Sequence, residues 1–256
     1  MGVRRAASLV IALGACSSGK PRTPEDAKRA TPPGDAAVVA ADAASAPKPP
    51  SGDVQVRVEW TNVPPAARSS PGKTACGTAR AAAVAPTTTW GIPDVVVIVD
   101  GAPGSLGEAR VRLADCAPSP RIAIGSALVV DSAADRPAIV ALAHRAQVSD
   151  LRAEIKSAIP ARTIQLPIAG HAVTAPLTPG AIYELTVARG DAAWIIAAQA
   201  SVTDPSGVVL VRDVPPGVHA VRAWLPPRGD QPARHAHGEV TVVAADLAEL
   251  TLQLAP

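Results

Sequence analysis

From Asp53 onward, proline and glycine cut the chain into short apolar runs, and nearly all of them have the period of a strand. Val54, Val56 and Val58 alternate with Gln55, Arg57 and Glu59 ahead of Trp60. Period two places the valines on one face and the polar residues on the other, as in a half-buried strand. The run 95–99 is apolar throughout and stops at Asp100-Gly101, which predicts a central strand followed by a turn. Further strands are predicted at 110–113, 121–124, 127–130, 139–142, 163–166, 182–187 and 193–197, then at 201–203, 208–211, 218–225, 239–243 and 249–254. Asp204-Pro205-Ser206-Gly207, Pro215-Pro216-Gly217 and Pro226-Pro227-Arg228-Gly229 punctuate the later runs as turns. Many short strands at this spacing predict an all-β fold of Greek-key sandwich type. One short helix is expected at 150–159, where Leu151, Ile155 and Ile159 recur at four-residue steps. Ser149 or Asp150 would cap it and Pro160 would stop it.

The core of such a fold has few rings to draw on. The chain has Trp60, Trp90, Trp194, Trp224 and Tyr183, and no phenylalanine. Val, Ile, Leu and Ala must therefore fill most of the interior. Residues 17–52 cannot contribute: Pro21, Pro24, Pro32, Pro33, Pro47, Pro49 and Pro50 stand among Ala, Ser, Thr and alternating charges, with Val38 and Val39 the only large apolar side chains. Such a composition buries too little surface to offset ordering entropy and reads, together with Cys16, as a tether. It would reach about 110 Å as polyproline II and about 35 Å as a coil.

Before the tether, Arg4 and Arg5 precede an apolar stretch that ends Leu13-Gly14-Ala15-Cys16. The order basic, apolar, small is that of an export signal over 1–15, and the apolar stretch is too short to span a bilayer. A cysteine directly after the small residues resembles a bacterial lipobox, which implies cleavage before Cys16 and lipid on its sulfur. The chain has 24 Lys and Arg against 22 Asp and Glu, and removing a leader that holds Arg4 and Arg5 balances the two. A neutral chain has no basic stripe for nucleic acid and no polybasic patch for anionic lipid, so acyl chains would supply membrane attachment. With Cys16 lipidated, Cys76 and Cys116 remain, and an even pair in an oxidising compartment reads as one disulfide. Two free thiols or a pair of metal ligands are the alternatives; no CxxC or histidine cluster supports the latter. Closing that loop would stabilise the fold by roughly 3.5–4 kcal/mol on the chain-entropy argument.

The stretch 202–224 carries the most specific motif: Thr203-Asp204-Pro205-Ser206-Gly207, then Asp213-Val214-Pro215-Pro216-Gly217 leading to Ala223-Trp224. It resembles the carboxypeptidase regulatory-like domains, which are transthyretin-like sandwiches. In the motif, Asp204 and Gly207 form a tight hairpin turn with Gly at positive φ, and Pro215-Pro216-Gly217 a sharp connection. The resemblance implies a discontinuous sandwich over 53–108 and 199–256, interrupted by 109–198. The interruption is itself similar to a cupredoxin-like module. Residues 121–130 look like the strands before the first copper histidine, and Pro179-Gly180-Ala181-Ile182-Tyr183 like the strand that delivers the cysteine ligand. Yet Val187 stands where the cysteine is needed, Gly190 where a histidine is, and Ala134-Asp135-Arg136 offers no imidazole. A type 1 copper site needs two imidazoles and a thiolate, so no metal or other cofactor is expected.

Remaining candidates are isolated. His235-Ala236-His237 has a spacing that chelates weakly on a strand, but beside Pro232 and Gly238 it reads as a polar loop. Arg228-Gly229-Asp230 reads as a turn, and Gly101, Gly104 and Gly107 lack the strand-to-helix context of a phosphate loop. His144, His171 and His219 have no catalytic neighbours in sequence. The four tryptophans read as core or sheet-edge fillers, with a binding face as the alternative. These observations lead to the expectation of a non-enzymatic cell-envelope lipoprotein that binds a protein or envelope polymer. Ser17 after the lipid cysteine is not the aspartate that retains lipoproteins at the inner membrane, which points to the outer membrane of a Gram-negative bacterium. A cupredoxin-derived metal or electron-transfer protein, or an accessory subunit of an envelope enzyme, are the alternatives.

Overall fold

The structure is a computed structural model that describes residues 49–255 except 71, 74–76, 78–81, 83, 115–116, 152–161, 188–190 and 229–230. Sixteen strands run in chain order among these residues. The first six are β1 (Gly52–Glu59), β2 (Val96–Val99), β3 (Glu108–Ala114), β4 (Ala117–Ser119), β5 (Ile122–Ile124) and β6 (Ala127–Ser132). Then come β7 (Ala138–Gln147), β8 (Arg162–Leu166), β9 (Val173–Pro176), β10 (Ala181–Val187) and β11 (Ala192–Ile196). The chain ends with β12 (Ser201–Val202), β13 (Val208–Val214), β14 (Gly217–Leu225), β15 (Arg234–Val242) and β16 (Leu247–Gln253). The only helical segments described are α1 (Pro65–Arg68) and a 3-10 turn at Val148–Asp150. The fold is all-β, as the punctuation of the sequence predicts. The helix expected at 150–159 lies, beyond Leu151, outside the described residues.

The strands make four sheets, ordered β13-β1-β16, β12-β2-β14-β15, β5-β11-β10-β7-β8 and β4-β3-β6-β9. The first two are built from 52–99 and 201–253, the last two from 108–196. Each pair encloses a core. In the first, Val54, Val56 and Val58 of β1 meet Val97 and Val99 of β2, Val221 and Ala223 of β14 and Leu252 of β16. In the second, Val111 and Leu113 of β3 and Leu128 and Val130 of β6 meet Val140 and Leu142 of β7, Leu185 of β10 and Ile195 of β11. β1 alternates buried and half-buried along its whole length, as its sequence requires.

A third apolar cluster lies between the two inner sheets. Val96 and Ile98 of β2 and Trp224 of β14 turn away from the first core; Ile122 of β5, Ile182 of β10 and Trp194 and Ile196 of β11 turn away from the second. They meet in a seam closed at one side by Val148 and Leu151. The indole edge of one of Trp194 and Trp224 meets the face of the other, with centroids 5.2 Å apart and planes at 90°, the arrangement that ring quadrupoles favour. The seam explains why β2 is buried at every position and why 193–197 lacks polar alternation: both strands are covered on both faces. The result is four stacked layers with three interiors.

Strand sequences that carry proline or histidine depart from the expected pattern. β4 contains Pro118 and β9 ends in Pro176, and both sit at sheet edges, where a missing N–H is tolerated. The stretch around His235-Ala236-His237, read as a loop, is the first half of the nine-residue strand β15, paired with β14 from Leu225↔Arg234 to Gly217↔Val242. Ala236, Val240 and Val242 give that strand its buried face, while His235, His237 and Glu239 are exposed on the other.

Trp194→Ala removes the largest side chain from the second sandwich's half of the seam and is expected to lower stability by about 3–5 kcal/mol. Urea denaturation measures this; a loss below about 1 kcal/mol would show that the seam is a loose contact.

Candidate binding cleft

At one mouth of the seam a cavity of about 130 Å³ opens between the two inner sheets. Its walls are Arg121 and Ile122 at the start of β5, Glu184 of β10, Asp191 and Trp194 at β11, and Pro226-Pro227-Arg228 after β14. The sandwiches thus contribute one arginine each. Arg228 is turned inward, its side chain only 12% exposed, and donates from Nη2 to Asp94 Oδ2 at 2.5 Å. Glu184 accepts from Arg145 Nε at 2.7 Å. Arg121 is different: its carbonyl accepts the Trp194 N–H at 2.8 Å, but its half-buried side chain makes no hydrogen bond or ion pair among the described residues. Burial, and secondarily the charge of Arg228, push its pKa below the usual guanidinium value. It remains a cation; the charges of Asp94 and Asp191 offset part of its desolvation, without a direct side-chain bond to it.

The backbone on either side of Asp94 is held by a buried hydroxyl. Thr203, 4% exposed, donates from Oγ1 to Ile92 O at 2.8 Å and accepts the Val95 N–H at 2.9 Å. Asp94 N–H donates to Thr203 O, and Asp94 sits at φ 57°, in the left-handed region that disfavours a side chain. Local strain at Asp94 therefore places the carboxylate that orients Arg228.

The predicted turn residues lie next to this support. Asp204 Oδ1 accepts the Ser206 hydroxyl at 2.6 Å, the Ser206 N–H at 2.8 Å and the Val208 N–H at 3.0 Å. These bonds, the Ser206 hydroxyl first, hold its carboxyl below the usual aspartate pKa. Gly207 has φ 81°, and a Cβ there would come within 2.4 Å of Ile92 N. The turn is not a hairpin within one ladder. It carries the chain from β12 in one sheet to β13 in the sheet opposite, and Pro215-Pro216-Gly217 carries it back into β14.

At the far end of the seam, Arg222 of β14 bonds the Asp100 carboxylate and reaches across to Val148 O at 3.3 Å. Its Nε is buried without a hydrogen-bond partner among the described residues. A wider, open hollow of about 470 Å³ there includes His237 and Glu239. His219 places both ring nitrogens 2.7 Å from carbonyl oxygens, those of Asp100 and Pro215. His144 lies against Tyr183, and His171 is exposed.

Among the described residues, no three His, Cys, Asp or Glu converge as metal ligands. Val187 closes β10, and Ala134-Asp135-Arg136 lies between β6 and β7. Cys16, Cys76, Cys116 and Gly190 lie outside the described residues, as do Gly229 and Asp230 of the Arg-Gly-Asp tripeptide. Of the four tryptophans, Trp60, Trp194 and Trp224 are buried and Trp90 is 41% exposed. Arg121 and Arg228 escape sequence reading as a pair because each looks like a charged residue at the end of a strand or turn. Thr203 carries a faint signal, a polar residue between apolar ones beside Asp204. In comparisons with protein-family models, curated proteins and solved structures, no match is found.

Thr203→Val keeps the shape but orphans the Val95 N–H and the Ile92 carbonyl. Stability is expected to fall by about 1–3 kcal/mol in denaturant titration; an unchanged midpoint would show that the hydroxyl is dispensable. For Asp204, a folded-state pKa below the unfolded one means stabilisation above the unfolded value, near pH 4, that is lost as pH falls through the folded value. Asp204→Asn is expected to flatten stability against pH below about 4 relative to wild type. Identical acid limbs in thermal melts would contradict this.

Proposed function

We propose that the protein is a non-enzymatic lipoprotein of a bacterial cell envelope. Cys16 carries the lipid, 16–52 is the tether, and the stacked sheets form the binding body. By the resemblances of 202–224 and of 121–130 with 179–187, the outer pair of segments is a carboxypeptidase regulatory-like sandwich, and the inner one a cupredoxin-like sandwich without copper ligands. Ser17 favours the outer membrane of a Gram-negative bacterium. The partner is a protein or envelope polymer, and no nucleic acid is expected from a chain of balanced charge.

The observation that carries the binding role is Arg121: a half-buried guanidinium without a hydrogen-bond partner among the described residues, lining a cavity with Arg228 and Trp194. A carboxylate of the partner, taken in the bidentate geometry that guanidinium favours, would offset the desolvation Arg121 bears. A cavity of about 130 Å³ suits one acidic side chain or chain terminus, with the rest of the partner outside. Pro226, Pro227 and Ile122 supply an apolar surround that strengthens the pairing.

Cys16→Ala is expected to move the protein from the membrane to the soluble fraction on cell fractionation; an unchanged partition would overturn the anchor. Using the full-length protein as bait in solubilised envelope, Arg121→Gln is expected to lose a partner that wild type recovers. Equal recovery by both baits would contradict the role of the cleft.

A further inference from the structure

We infer that Trp90 and the groove beside it form a second binding site, for the sugar rings of a β-linked glycan. Three tryptophans of this chain are 5% exposed or less, whereas Trp90 presents an indole that is 41% exposed. The backbone at this position disfavours tryptophan. The residue has φ 63°, a conformation that glycine adopts without strain and a bulky side chain resists. The chain nevertheless holds it there firmly. Trp90 N–H donates to Thr87 O at 3.0 Å, Trp60 N–H donates to Trp90 O at 3.1 Å, and Gly91 N–H donates to Thr87 Oγ1 at 3.0 Å. Arg57 of β1 adds bonds from Nη2 to Thr89 O at 3.0 Å and to Thr89 Oγ1 at 2.6 Å. An exposed aromatic side chain on a strained backbone that its surroundings fix is a preorganised contact surface.

The groove's chemistry points to the class of ligand. Trp90 stands at an open hollow of about 340 Å³ with Pro86, Val84, Thr87, Thr88 and Arg68 on its walls. A flat, electron-rich indole face attracts the weakly positive C–H bonds of a pyranose ring, which line up on the faces of gluco-configured sugars. Hydroxyl groups and a guanidinium at the rim match the ring's own hydroxyls. An open hollow lets a polymer pass through instead of enclosing one end. This site shares no residue with the Arg121 cleft. It extends the envelope-facing reading by naming a polymer class.

The test is titration of the full chain with chitotetraose and with cellotetraose, followed by the indole N–H signals in a 1H-15N spectrum. The chain has four tryptophans, so four such signals are expected, and the Trp90 signal is the one absent from Trp90→Phe. The proposal expects that signal to move with at least one of the sugars while the buried three stay still. Trp90→Phe should keep weakened binding, and Trp90→Ala should weaken it roughly ten-fold or more. Trp90→Gly, which also relieves the backbone strain, is expected to stay folded without binding, separating lost recognition from lost structure. Arg121→Gln is expected to leave sugar binding intact, so that failure here is distinguishable from failure of the carboxylate cleft. No shift with either sugar, or equal affinity in Trp90→Gly, would overturn the proposal.

Discussion

The seam between the inner sheets sets the terms for everything else in this fold. A sheet with two apolar faces cannot stand at a surface, and β2 and β11 each carry large apolar side chains on both. Val96, Ile98 and Trp224 on one side require a partner of equal extent, and Trp194, Ile196, Ile182 and Ile122 supply it. Two sandwiches that each enclose an ordinary core thereby become one stack. Because the third core sits between sandwiches built from separate stretches of chain, it also brings Arg121 and Arg228 to one opening.

Polar groups at the two ends of the seam behave differently. At one end Arg222 bridges the sandwiches, bonding Asp100 on its own side and Val148 O on the other. At the other, Arg228 is bonded to Asp94, and Arg121 is left with a cavity in front of it. The first arrangement closes the stack. The second keeps an opening lined with charge and apolar rings, one of its arginines bonded to a residue in a strained backbone state. Strain recurs at Trp90, so the loop joining β1 to β2 holds two unfavourable conformations within five residues: Trp90 lines one cavity, and Asp94 bonds an arginine that lines the other. Conformations of this kind persist where surrounding bonds over-determine them, here through Thr203, Thr87 and Arg57.

Much of the architecture was legible from the residues. Alternation over 54–59 fixes β1, and the unbroken apolar runs at 95–99 and 193–197 mark strands covered on both sides. What those runs could not show was each other: nothing local tells Trp194 that Trp224 will be its cover. Proline hid β4 and β9, because its use at an edge strand and in a turn look alike in one dimension. The strand β15 was half missed because Pro232, Gly238 and two histidines mimic a loop, while its buried face consists only of Ala236, Val240 and Val242. The sequence at Asp204-Gly207 marks a turn but does not separate a hairpin from a crossing between sheets, since both use glycine at positive φ and only the sheet assignment tells them apart. The cleft was the least legible part. Its charges come from strand ends distant in sequence, and a charged strand end ordinarily means solvent.

If the seam is a true interior, the two sandwiches cannot unfold separately. Differential scanning calorimetry of the full chain tests this most directly. The account predicts a single endotherm whose calorimetric and van't Hoff enthalpies agree, with a ratio of about one. Two resolved endotherms, or a calorimetric enthalpy near twice the van't Hoff value, would show two independent bodies in loose contact and contradict the stacked arrangement.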